Sequence, residues 1–76
     1  MVKVVGAKPG RSVFLNGIHT EPAGVVGTPF QVQTGLNTFE LLRPDGTDEV
    51  ALDVDVSLHD DEQQPQIIDM SQGARP

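Results

Sequence analysis

The residues best equipped for chemistry are the acids and the two histidines. Asp53-x-Asp55-x-Ser57 has the 1, 3, 5 spacing of oxygen ligands that opens an EF-hand calcium loop. Such a loop next requires glycine at its sixth position and glutamate at its twelfth, where this chain has Leu58 and Gln64. On a strand, Asp53 and Asp55 point to the same side, where they share a cation with a neighbour or stand in water. Water relieves their repulsion more simply. His59-Asp60-Asp61-Glu62 joins an imidazole to carboxylates, ligand types suited to zinc and similar ions. His19 is the only other histidine. His19, His59 and Asp60 would make a sensible ligand trio, but nothing in the sequence brings them together.

Other chemistry is weaker still. Glu40 and Asp48 are the kind of carboxylate pair used in acid/base catalysis, yet chance pairs are expected among eleven acids. Ser12, Ser57 and Ser71 lack the G-x-S-x-G setting of a nucleophilic serine. "GAKPG" and "GVVGTP" are glycine-rich, but neither leads into a helix whose N-terminus would hold phosphate. The absence of cysteine removes thiol catalysis and Cys-ligated zinc or iron–sulfur sites. The expectation is a protein without enzymatic activity, with no catalytic residue, no metal ligand and no cofactor.

The elements that carry these side chains read as short strands. Val50, Leu52, Val54, Val56 and Leu58 fall at every second position, with Glu49, Ala51, Asp53, Asp55 and Ser57 between them, the period of a half-buried strand. In "LNTFELLR", Phe39 and Leu41 share one face against Thr38 and Glu40. "RPDGT" between the two is a turn, with Pro44 fixing φ and Gly46 accepting a left-handed position. A Leu36–Arg43 / Asp48–Leu58 antiparallel hairpin is therefore expected as the backbone of the fold. "VKVV" is β-branched. "SVFLNG" places Val13 and Leu15 on one face and Phe14 on the other, and ends in Asn16-Gly17, a strong hairpin signal. "IHT" reads as a returning strand, and Phe30-Gln31-Val32-Gln33 as another half-buried one. Beyond the polar "HDDEQQPQ", Ile67, Ile68 and Met70 form a short apolar patch that is either a last edge strand or an arm docking on another subunit. The fold class predicted is all-β: a small antiparallel β-sandwich or open β-barrel of about five to seven short strands, with residues 1–60 as the β domain and residues 61–76 as an extended C-terminal arm.

Size and charge restrict the partners. Seventy-six residues with 37% apolar content, no Trp, no Tyr and three Phe give a thin, aliphatic core near the lower limit for a domain that stands alone. Subunit association is one way to compensate. The net charge is −6, and Lys3, Lys8, Arg11, Arg43 and Arg75 are scattered. A phosphate-binding surface needs clustered bases, so nucleic-acid binding is not expected. No apolar run approaches a membrane span and no signal-peptide core follows Met1. Two apolar segments lack an obvious home in the core, which makes Ile18, Val25, Val26, Phe30, Ile67, Ile68 and Met70 the expected partner contacts.

Two stretches carry a resemblance. "VFLNG" followed by "GTPFQVQTGLNTFELL" resembles the PEGA-type module, a small β-sandwich of bacterial surface and secreted proteins. The shared pattern is Asn16-Gly17, Gly27-Thr28-Pro29, a strand at Phe30–Gln33, Gly35 and a strand at Asn37–Leu42. The spacer from Gly17 to Gly27 is longer than the family pattern, and the closing aromatic is missing. The resemblance implies a fold and a binding or structural role, with no catalytic residue. By type, a short, acidic, cysteine-free chain is also similar to phage head-decoration (cement) proteins. The function expected is thus a non-enzymatic structural subunit or decoration protein of a larger assembly such as a phage capsid, located in the virion or otherwise in the cytoplasm. The alternatives are a PEGA-like or carbohydrate-binding surface module, which three Phe without Trp or Tyr disfavour, and a small calcium-binding module resting on the acidic strand.

Overall fold

A computed structural model describes residues 1–57 and 64–73, with the side chains of 72 and 73 excepted. Leu58 and the His59–Glu62 run lie outside the described residues. The protein is all-β, and the described residues form six strands in two sheets. They are β1 (Val2–Val5), β2 (Ser12–Leu15), β3 (Gly24–Val25), β4 (Gly35–Leu42), β5 (Asp48–Val56) and β6 (Gln66–Asp69), followed by one 3-10 turn at Met70–Gly73. Among the described residues no helix is long and apolar enough to cross a membrane.

The expected hairpin is present. β4 and β5 pair antiparallel from Gly35↔Val56 to Leu42↔Asp48, and β2 and then β3 extend this into an antiparallel sheet of order β3-β2-β4-β5. The connecting turn is closed by Gly46 N–H donating to the Arg43 carbonyl at 2.9 Å and Arg43 N–H to the Thr47 carbonyl at 2.8 Å. Gly46 sits at φ 88°, as the turn type requires. Alternation then sorts the side chains. Val13, Phe39, Leu41, Val50 and Val56 point inward and are buried, while Asp53 and Asp55 point outward and are exposed.

The second sheet departs from expectation in two ways. It is a parallel pair of β1 and β6, in register from Val2↔Gln66 to Val5↔Asp69, where an antiparallel arrangement was predicted. Of the two readings of the C-terminal apolar patch, a last edge strand or a docking arm, the strand is the one found, so residues 66–73 belong to the domain and not to an arm. Ile68 and Met70 are 2% and 0% exposed and pack in one core with Val2, Val4, Val26 and Phe39. The physical reason is the thin core. Ile68, in register with Val4, and Met70 add two large side chains to the core cluster that holds Val2 and Val4.

Residues 24–30 stitch the sheets together. Val26 N–H donates to the Arg11 carbonyl at 2.9 Å, Gly27 N–H to the Val4 carbonyl at 2.9 Å, and Val2 and Phe30 exchange two bonds of 2.9 Å. Phe30 makes only this isolated bridge. The strand predicted over Phe30–Gln33 does not form, because residues 31–33 run past the end of β1 and meet no further strand. Gly24 allows the stitch to close, since a Cβ there would overlap the Phe30 ring. On the opposite side the Gln66 side chain reaches β5, accepting from Ser57 N–H at 2.9 Å and donating to the Asp55 carbonyl at 3.2 Å.

Candidate functional site

The site begins at Asn16-Gly17. Both residues have positive φ, 55° and 76°, the signature of a two-residue type I′ turn, and Ile18 N–H donates to the Leu15 carbonyl at 3.0 Å. Asn16 clamps the turn onto β4. Its N–H donates to the Thr38 carbonyl at 2.9 Å, its Oδ1 accepts from Thr38 N–H at 2.8 Å, and its Nδ2 donates to Asn37 Oδ1 at 3.0 Å. The returning strand predicted at "IHT" is limited to one bridge, Leu15↔Ile18. The chain then swings out through residues 19–22 and rejoins β2 where Ala23 N–H donates to the Val13 carbonyl at 2.8 Å. Glu21-Pro22 cannot continue a ladder, because proline brings no N–H to it.

This excursion covers Glu40. On the outer face of the sheet, Glu40 lies between its cross-strand neighbours Phe14 of β2 and Ala51 of β5. By alternation alone it belongs in water, yet it is only 4% exposed. Its Oε1 accepts from Gly17 N–H at 2.6 Å and its Oε2 lies 2.9 Å from His19 Nε2. The His19 ring meets Phe14 edge-on, with centroids 5.8 Å apart. Asp48 arrives from β5 because a bulge between Leu41 and Leu42 shifts the register. The pairing of Leu42 with Asp48 turns the aspartate to the outer face beside Glu40. Arg11 holds the bulge from outside, with Nη1 on Glu49 Oε2 and Nη2 donating to the Leu42 carbonyl at 2.8 Å.

The charges follow from this packing. Burial, the largest single influence on Glu40, pushes its pKa up. Hydrogen bonds from His19, Gly17 and Asp48, with the charge of His19, together outweigh it and hold the carboxyl below the ordinary glutamate value of 4.5. The hydrogen bond from Arg11 likewise lowers Glu49. His19 Nε2 and the carboxylate oxygens of Glu40 and Asp48 offer three ligand atoms within 4.8 Å of one another.

A groove of about 370 Å³ opens on the other side of the same loop, between residues 15–23 and 31–33. Leu15, Ile18, Pro22, Ala23 and Val32 supply its apolar lining, and Asn16, Glu21, Gln31, Gln33 and Asn37 its polar one. Asn37 is fixed by Nδ2 donating to the Gln33 carbonyl at 2.8 Å. None of His19, Glu40 and Asp48 lines this groove, so the cluster has no substrate cleft on that side. No family model, curated protein or solved structure matches the chain.

The predicted contact residues divide. Ile18 and Ile67 are 62% and 56% exposed, and Val25 and Phe30 are half-buried. Val26, Ile68 and Met70 belong to the core, a correction with a simple cause: each faces inward on a segment that finds a hydrogen-bonding partner. Leu36 is 74% exposed and was missed, although its place in register with Thr38 on the outer face of β4 was a usable signal. Asp53 accepts from Thr38 Oγ1 at 2.6 Å, and neither Asp53 nor Asp55 belongs to the cluster of possible ligands. Glu40 and Asp48, named above only as a possible pair, do meet. The partner of His19 is this pair, while His59 and Asp60 fall outside the described residues.

Proposed function

We propose that the chain is a non-enzymatic structural protein, a small β subunit that docks on a larger protein assembly, with a phage capsid shell as the type of assembly its size and composition suggest. The observation that carries this reading is the exposure of Ile18 and Leu36, 62% and 74%, near the same end of the four-stranded sheet but on its two faces, Ile18 opposite inward-facing Leu15 and Leu36 on the outer face of β4. Ile18 also lines the groove. Leu36 lies two residues from Thr38, which Asn16 clamps, so turn and strand present both side chains on a fixed frame. A pre-ordered aliphatic side chain beside a groove, as Ile18 is, suits an interface core, because little entropy is lost when it is covered.

Glu40 serves this reading as an anchor for the loop. Its bonds to Gly17 and His19 hold the two neighbours of Ile18 in place. The test is sedimentation velocity on the protein alone and mixed with purified capsid shells, for wild type and an Ile18→Asp/Leu36→Asp variant. Wild type is expected to form a defined associated species or to travel with the shells, and the variant to lose this while keeping the wild-type melting temperature. A wild-type chain that stays monomeric and never travels with the shells contradicts the reading.

A further inference from the structure

We infer that His19, Glu40 and Asp48 form a binding site for one divalent transition-metal cation of the zinc kind. This goes beyond the docking reading and stands or falls separately from it.

Three features point to it. The ligands come from three separate elements, the loop after β2, the middle of β4 and the start of β5, and their atoms converge within 4.8 Å. A tetrahedral zinc site with bonds of about 2.0–2.1 Å puts its ligand atoms about 3.3 Å apart. His19 Nε2 and Glu40 Oε2 are already 2.9 Å apart, so small side-chain rotations complete the set. Next, the Glu40 carboxylate is more than nine-tenths buried and is hydrogen-bonded by a second carboxyl, Asp48. Two carboxylates whose oxygens lie within 4.8 Å of each other and of an imidazole nitrogen are brought together most favourably by a cation between them. Finally, His19 lies at the surface with its side chain 36% exposed, which leaves an approach for the ion and a fourth position for water.

The donor set selects the ion. One imidazole nitrogen with two carboxylates suits zinc, cobalt or nickel, whereas calcium takes six to eight oxygens in a looser shell. The bulge at Leu41/Leu42 is what makes the site, since an unbroken ladder would place Glu49 opposite Leu42. The field of a chain with net charge −6 also favours approach of a cation.

The test is isothermal titration of chelator-treated protein with zinc chloride, followed by the visible absorption of a cobalt(II) complex. Wild type is expected to take up one zinc per chain and to give an intense cobalt band of low coordination number. His19→Ala, a surface change that leaves the core intact, and Asp48→Asn are each expected to weaken zinc binding about 10-fold or more. Asp53→Asn/Asp55→Asn and His59→Ala are expected to bind as wild type does. Absence of zinc uptake by wild type overturns the proposal, as does full binding by His19→Ala or a loss seen only in the Asp53/Asp55 or His59 variants.

Discussion

Met70→Ala and Ile68→Ala are each expected to leave the purified protein largely unfolded at room temperature, while Ile67→Ala changes its stability by less than about 0.5 kcal/mol. Ile68 and Met70 are 2% and 0% exposed, whereas their neighbour Ile67 is 56% exposed. Truncating a large buried aliphatic to alanine costs about 2–5 kcal/mol, from lost transfer energy and from the cavity left behind. A domain this small has a net stability of only about 3–5 kcal/mol, so one such loss consumes most of it. The effect also propagates. β6 is the parallel partner of β1, and Val2 and Val4 pack in the same core cluster as Ile68 and Met70. Urea titration followed by far-UV circular dichroism separates the cases. Equal tolerance of all three changes would mean that this segment is the detachable arm its sequence suggested.

The second large effect belongs to Glu40. Glu40→Gln keeps the shape of the side chain but removes the charge that strengthens its bonds to Gly17 and His19. Hydrogen bonds to a charged group are worth about 1.5–3 kcal/mol each. Since the amide retains an acceptor, the expected loss in metal-free protein at pH 7 is about 1–3 kcal/mol. The pH dependence has a definite sign. The folded-state pKa of Glu40 lies below its ordinary value of 4.5, so its contribution is complete above that value and is lost as pH falls through the folded-state value. Wild type is therefore expected to lose stability progressively below about pH 4.5, and Glu40→Gln to show a flatter curve over that range. Some acid sensitivity persists in the variant, because hydrogen bonds from Thr47 and Ser71 lower Asp45 and Asp69 in the same direction. Chelator present throughout keeps protons as the sole competitor for the carboxylate. Parallel curves for the two proteins would show that Glu40 is not ionised and anchored as described.

Much of the fold was legible because its signals are local. The period-two run of β5, the facing pattern of β4, the Pro44–Gly46 turn and the Asn16-Gly17 turn each lie within a few neighbouring residues. What was not legible depends on contacts between distant parts of the chain. No turn sets the register of a parallel pair between the two ends, so the pairing of β1 with β6 left only a short apolar patch after Gln63-Gln64-Pro65. Phe30–Gln33 alternates as a strand should, but a strand needs a neighbour along its length, and Val2 supplies one bridge. Glu40 shows the same limit at the candidate site. Its alternation correctly places it on the outer face, but it is buried there because a loop from 23 residues earlier folds over it. Asp48 reaches that face only through a one-residue bulge, which hydrophobic period does not register.

The claim that the Ile18 and Leu36 end of the sheet is the docking surface is tested most directly by amide hydrogen exchange, comparing the free protein with its associated form. Slowed exchange is expected in residues 15–23 and 31–38 on association, with β6 and the outer edge of β5 unchanged. Slowing centred on β6 around Ile67, or no change in residues 15–23, would contradict it.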